Sequence, residues 1–439
     1  MVDDIAELGI QVDTTDSATG QEALAEVHKH DFKIPSFAEI RTEAAKNYQM
    51  ELAQNSEKKT CKTTQNRIKA EPDKFWDIRN GSSVYTDKEF TNDVTSIKWS
   101  EFNEQIKGNV NYKWKRASEA LSGHKIFGDG ATPDDVVQGS LGNCWSLAAA
   151  AAVAEKKGRI EKLFVNTENV LNTQGIYAMN FHSLGVPHSV VVDDYLPLNG
   201  SKTYFADVGG DKSVWGAIYE KGLAKLHGNY EHLVAGNPMK GIQSIQGGPA
   251  KRMKHNEVTA DALWDEIVKH DGTDDMMTFG TKSGSDSKKN ADGLFYGHAY
   301  TILGAKKLST GDRLLKIRNP HGRDAYTGDW SDSSAKWTEA LRKEAGQESG
   351  NDGVFWMEVG RMHSTTLATW FNWDTANLKH SYFLRLNDDG SGAVDGTTSW
   401  CGPKCTKHTM TVKSDVAQTI YISGNTWLDQ GLPDSCLKT

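Results

Sequence analysis

Apolar and polar positions change their period several times along this chain, and each change marks an element. The densest apolar run ends in AAAAAVA, Ala148 to Ala154; apolar on every side, it reads as a helix that other elements must enclose. VWGAIYEKGLAKL, starting at Val214, and the stretch from Asp261 to His270 carry helical periodicity. Alternating runs rich in β-branched residues predict strands near Gly175 to His182 and Ser189 to Leu198. Two more strands lie in GHAYTILGA, which begins beside His298, and in LLKIRNPHGR, which closes at Asn319. Up to residue 84 the chain is charged and poor in aromatics. There Ser36 and Glu39 form a capping box that opens a helix through Gln54, with Phe37, Ile40, Ala44, Tyr48 and Leu52 along one side. Beyond residue 364 come short alternating segments, SYFLRL, HTMTVKS and AQTIYIS.

This order gives an α+β chain in four parts: a charged, partly helical extension over 1–84, a helical half over 85–245, a β-rich half over 246–364, and a terminal β segment over 365–439. A helical half against a β-rich half puts a cleft at their junction, where ligand sites commonly form. Trp330, Trp337 and Trp356 read as core, since large aromatics dominate core area.

The chemistry concentrates in QGSLGNCW, Gln138 to Trp145, where Cys144 follows a glycine turn and opens the alanine-rich helix. Backbone N–H groups and the helix dipole at that end favour a thiolate, the nucleophilic form of cysteine. A nucleophile needs a base, and the base needs an orienting group. His298 would take the thiol proton, and an Asn319 carbonyl bonded to the other ring nitrogen would hold the imidazole in register. Gln138 can offer its side-chain amide to an oxyanion beside the Cys144 N–H.

The residues carrying this logic sit inside longer blocks. YTDKEF, WKR, GDGATPDDVVQGSLGNCW, VVVDDYLPL, VWGAIYEKGLAKLHGNYEHL, GHAYTILGA, IRNPHGR, TGDWSD and DGVFWM occur in that order between residues 85 and 360. Together they resemble the protease core of the calpain family of cysteine proteases. The resemblance implies a papain-like core of two subdomains, with Cys144, His298 and Asn319 as the triad and Gln138 in the oxyanion hole. It also implies that Gly236 and Gly297 hold substrate backbone, and that Trp145 can block the cleft until the halves align. Residues 365–439 resemble the opening of the β-sandwich that follows the core in calpains, though the segment is short for a sandwich of about 100 residues.

Departures from the family qualify what carries over. His321 stands where the family has Trp after the Asn-Pro pair. The Trp covers the triad hydrogen bond, so a polar ring is expected to leave that bond more open to water. Calpain cores bind two calcium ions, and here the resemblance is thinner. Gly128, Gly130 and Asp135 match the first site, but Ser213 replaces a Glu. Asp332 and Asp352 match the second, while Ala325 and Val354 replace Glu, leaving Asp324 or Asp329 as substitutes. Calcium therefore remains an open cofactor, with weaker control expected than in a typical calpain.

Composition bounds the alternatives. The net charge of −8, from 50 Lys and Arg against 58 Asp and Glu, argues against a nucleic-acid footprint. No apolar run is long enough to span a bilayer, and the acidic start MVDDIAELG lacks the order of a signal peptide. Five scattered cysteines suggest a reducing, cytoplasmic setting. Cys401, Cys405 and His408 lack an evident fourth zinc ligand, so a plain loop is the favoured reading. No DxDxDG loop is present, so no penta-EF-hand module is expected. The expected function is an endopeptidase acting on proteins or peptides through a thioester. An inactive homologue serving as a binding module is the competing reading; a transglutaminase-like transferase would want Asp where Asn319 stands.

Overall fold

In a computed structural model the described residues are 72–97, 112–166, 168–183, 186–200 and 202–378, all within one compact unit of the chain. The helix expected over Ser36 to Gln54, the terminal β segments and the Cys401–Cys405–His408 cluster lie outside them.

The helical half begins earlier than the boundary at residue 84. Helix α1 (Pro72–Asn80) lays Phe75 against Ile176, Ala178 and Val191, so the chain joins the core from that helix onward. There follow β1 (Lys113–Arg116), α2 (Cys144–Ala154), the antiparallel hairpin β2 (Ile176–Ser183) and β3 (Val186–Asp193), then β4 (Tyr195–Asn199) and β5 (Lys202–Thr203). The single strand expected over Ser189 to Leu198 is thus two, because β4 leaves β3 to join β1 and β5 in another sheet. Two buried aspartates cause the break. The Asp193 carboxylate accepts from Tyr195 N–H (3.0 Å) and pairs with Lys221, and Asp194 pairs with Arg116 (2.5 Å). Lys221 and Lys225 both rise from α3 (Trp215–His227), and Lys225 reaches Asp87 of YTDKEF at 2.7 Å. Pairs this buried are costly to break, since one partner alone leaves an uncompensated charge.

Every residue of α2 is buried. Its alanines permit close approach to α4 (Pro238–Gln246): a β-carbon at Gly241 would lie 2.6 Å from that of Ala149.

The β-rich half contains β6 (Ala250–Lys254), α5 (Ala260–Asp271), β7 (Met276–Thr281), β8 (Ala299–Lys307), β9 (Arg313–Arg318), α6 (Glu339–Ala345), β10 (Val354–Glu358), α7 (Val359–Thr365) and β11 (Thr366–Asn372). Its six strands form one antiparallel sheet in the order β10-β9-β8-β7-β11-β6, with Leu263 and Ile267 of α5 in its core. Because β11 sits between β7 and β6, this half continues past residue 364, where the sequence reading ended it. Trp330, Trp337 and Trp356 form a separate cluster with Leu308 and Leu314, as expected of core residues. Among the bonds that join the halves, Thr301 Oγ1 donates to the Ala148 carbonyl of α2 (2.7 Å), and Gln138 N–H donates to the Pro320 carbonyl (2.7 Å).

A branched side chain at Gly241 has no room against Ala149, so Gly241→Val should cost about 1–3 kcal/mol through overpacking. Urea denaturation checks this, and an unchanged midpoint would mean that α2 and α4 separate without cost.

Candidate active site

Strand register explains how the base and its orienting residue meet. β8 and β9 run antiparallel with Thr301 opposite Arg318, so the start of β8 and the end of β9 lie at the same edge of the sheet. His298 precedes β8 and Asn319 follows β9, and His298 Nε2 contacts Asn319 Oδ1 at 3.0 Å. The Asn319 amide cannot be turned over. Its Nδ2 donates to the Arg323 carbonyl (3.1 Å), and its Oδ1 also accepts from His321 N–H (3.2 Å). With an acceptor fixed opposite it, Nε2 must carry the ring proton, which leaves Nδ1 with the lone pair. That nitrogen is buried and has no hydrogen-bond partner.

Cys144 starts α2 as a free, buried thiol, 8% exposed. Burial pushes it up to about 11, although the backbone N–H groups of Ala299, Trp145 and Cys144 itself pull the other way. Ala299 adjoins His298, so the sulfur lies at the edge of the sheet that carries the imidazole. The helix start was expected to favour a thiolate; at rest, desolvation outweighs it. Burial, and then His321, bring His298 down to about 3 against the raising bond to Asn319. Each group alone is therefore neutral near pH 7. Formed together, thiolate and imidazolium offset part of each other's desolvation, as opposite charges do in a low-dielectric site.

The remaining expected residues fall into three sets. Gln138 lies nearby, but Nε2 already donates to the Leu141 carbonyl (2.7 Å), leaving one amide proton to offer. Trp145 packs its indole over Gly236, where a β-carbon would sit 2.3 Å from the ring, and bonds the Leu233 carbonyl at 2.7 Å. Gly297 has φ +56° and its open side faces the Gly284 carbonyl, so backbone geometry alone demands glycine there.

Among the described residues no group of three or more His, Cys, Asp or Glu is placed to hold a metal ion as the side chains stand. Asp135 is engaged by Thr132 N–H (2.8 Å) and Trp215 Nε1 (2.9 Å), and the Gly128 carbonyl by Asn169 (2.8 Å). Two substitutes are nonetheless close. Asp211 lies against Gly128, accepting from Asp129 and Ser213 N–H groups at 2.7 and 3.0 Å, and carries a carboxylate beside the position that Ser213 vacates. In the second set, burial and then the nearby Asp332 and Asp352 raise Asp324 to about 6, whereas Asp329 is paired with Lys336 at 2.9 Å.

Several site residues escaped the sequence reading. Asn143 Nδ2 donates to Glu220 Oε1 (2.7 Å), whose other oxygen accepts from Ala206 N–H (2.9 Å), fixing the turn that presents Cys144. Only the contiguity of Asn143 with Cys144 could have suggested this. The polar ring of His321 is expected to expose the triad bond; instead it stacks on His298 at 4.4 Å and 26°, and both His298 and Asn319 are buried.

A fold of this order, with a buried Cys beside a His–Asn pair, describes a cysteine peptidase. The model of the calpain family cysteine proteases matches residues 85–366, and the chain belongs to that family. Similar proteins include the calpain-type cysteine protease ADL1 of Oryza sativa subsp. japonica, 32% identical over 295 residues, covering 64% of this chain and 14% of the rice protein. The Calpain-1 catalytic subunit of Macaca fascicularis is 30% identical over 286 residues, covering 63% of this chain and 40% of its own. Human Calpain-14 is 32% identical over 289 residues, covering 64% and 41%. The chain thus spans less than half the length of these relatives. A solved ragweed pollen cysteine protease in its proform aligns over 91% of this chain and 95% of its own, at 10% identity and a TM-score of 0.23, too low to bear on the fold.

Burial raises the Glu220 carboxyl to about 7, from about 4.3 in an unfolded chain. A raised carboxyl contributes stability that is complete below the unfolded value and is lost as pH rises through the folded one. Glu220→Gln keeps the shape and cannot titrate. Its melting temperature relative to wild type should therefore climb from about pH 4.5 to pH 8. Thermal denaturation across that range checks this, and a pH-independent difference would contradict it.

Proposed function

We propose that the chain is a papain-like cysteine endopeptidase in which Cys144, His298 and Asn319 form the triad. The observation that carries this reading is the bare Nδ1 of His298, held by a fixed Asn319 amide beside the start of α2. Proton transfer from Sγ to Nδ1 creates the thiolate, which attacks the carbonyl carbon of a peptide bond. The resulting oxyanion is met by the Cys144 N–H and the remaining Gln138 amide proton. His298 then protonates the leaving amine, and a thioester remains on Cys144. Water, deprotonated by His298, hydrolyses it and restores the thiol. The indole of Trp145 over Gly236 supports a resting cleft that opens for the substrate backbone to reach that glycine and Gly297.

Calcium is the proposed regulator, at two weak positions: Gly128, Gly130, Asp135 and Asp211 for one, Asp324, Asp332 and Asp352 for the other. Each would need its carboxylates to leave internal hydrogen bonds, which favours affinities nearer millimolar than micromolar, an order-of-magnitude expectation from the loss of ligand charge. A bound cation would neutralise these carboxylates and draw their loops together. A cytoplasmic location accords with the cysteine usage.

Casein cleavage by purified protein, with and without calcium and beside Cys144→Ala, tests the reading. Cleavage by wild type and none by the variant is expected; equal cleavage would overturn the nucleophile assignment. Asn319→Ala should lower turnover by about 10²–10⁴-fold through loss of the base geometry. Gln138→Ala should lower it by about 10²–10³-fold. Titration calorimetry with calcium should show weak binding, and two sites filling at micromolar calcium would contradict the proposed regulation.

A further inference from the structure

We propose that His321 is a positioning residue for the reaction at Cys144: its neutral ring, stacked on His298 while its backbone N–H is tied to the same Asn319 oxygen, holds the imidazole in place, and a proton on His321 switches the site off. The inference rests on the peptidase reading above.

Its basis is geometric. The register with Thr301 opposite Arg318, continued outward, brings residue 321 abreast of residue 298. The rings stack at 4.4 Å and 26°, and Phe295 closes the other approach with its ring edge-on, 4.8 Å from His321 and 5.6 Å from His298. His321 N–H shares Asn319 Oδ1 with His298 Nε2. One oxygen therefore aligns the backbone of one histidine and the ring of the other, so the two move together. His321 Nδ1 is buried without a partner, so no carboxylate stands ready to welcome a proton there.

The surroundings decide what that proton would do. Burial lowers His321 to about 4, assisted by Arg323 on its own turn and by Lys289 of the β7–β8 loop, while Asp286 of that loop opposes them. Beyond His298 lie Tyr300, whose ring meets the imidazole edge-on at 4.9 Å and whose hydroxyl burial pushes up, and Cys144, which also faces Asp286. From the helical half, Val137 packs beside Gly322 and Gln138 bonds Pro320, and neither side chain titrates. At neutral pH the ring is thus an uncharged lid. On acidification it becomes a cation stacked on the imidazole that must itself become cationic to release the thiolate, and like charges at that separation disfavour the second. A tryptophan in this place would cover the ring equally but carry no such switch.

Alkylation of Cys144 by iodoacetamide reads the state of the thiol and needs no peptide turnover. Its rate should be followed from neutrality to below about pH 3, past the values of both rings, for wild type, His321→Trp and His321→Gln. In wild type the rate should fall with a slope approaching two protons, one for the thiolate–imidazolium pair and one for His321. Both variants should show a slope of one, and His321→Trp should also restore the wild-type rate at neutral pH. The same limb in all three proteins would overturn the proposal. Should a variant misfold, a ring titration of His321 by NMR in wild type decides: it must coincide with the fall in alkylation, and a ring that does not titrate there overturns the idea. Casein cleavage run alongside separates the two claims, because failure to cut bears on the peptidase reading alone.

Discussion

The Asn319 carboxamide is the constraint on which the site depends. Three hydrogen bonds fix its orientation: Arg323 carbonyl on one end, His321 N–H and His298 Nε2 on the other. A carboxamide so held presents an oxygen and nothing else to the imidazole, which settles the tautomer and leaves the basic nitrogen facing away. The sheet supplies the rest, because a β8–β9 pairing shifted by one residue would turn His298 to the other face. The six-stranded sheet thus serves as a jig for one hydrogen bond.

Burial then sets the electrical state. Cys144 and His298 are both enclosed, so each resists its charge alone, and in the proposed mechanism reactivity comes from making the two charges together. That coupling demands that the helix carrying the sulfur and the sheet carrying the imidazole keep their spacing. The Thr301 bond to Ala148 and the Gln138 bond to Pro320 cross the junction close to the reacting atoms. Close packing of alanine against Gly241 lets α2 lie deep enough for those bonds to form.

Much of this was legible beforehand. A helix apolar on all sides had to be buried, and Cys144 at its start, His298 at one strand end and Asn319 at another are read from local pattern. What resisted reading depends on contacts between residues distant in sequence. Asp193 and Asp194 break a strand that alternation alone would continue, because Lys221 and Arg116 hold them inside. Asp211 comes beside Gly128 and Ser213 only because a loop folds it there. The β11 strand reads as the start of a new segment, since nothing in its alternation tells which sheet it will enter. His321 looked like a loss of shielding; only its stacking geometry shows that a histidine ring can shield as well.

The account turns on where the proton of the neutral His298 ring resides, and ¹⁵N NMR of histidine-labelled protein at neutral pH, with His298 assigned by substitution, observes it directly. A proton on Nε2, with Nδ1 showing the shift of an unprotonated ring nitrogen, is the result predicted from the Asn319 contact. A proton on Nδ1 would contradict it, because the ring could not then accept one from Cys144.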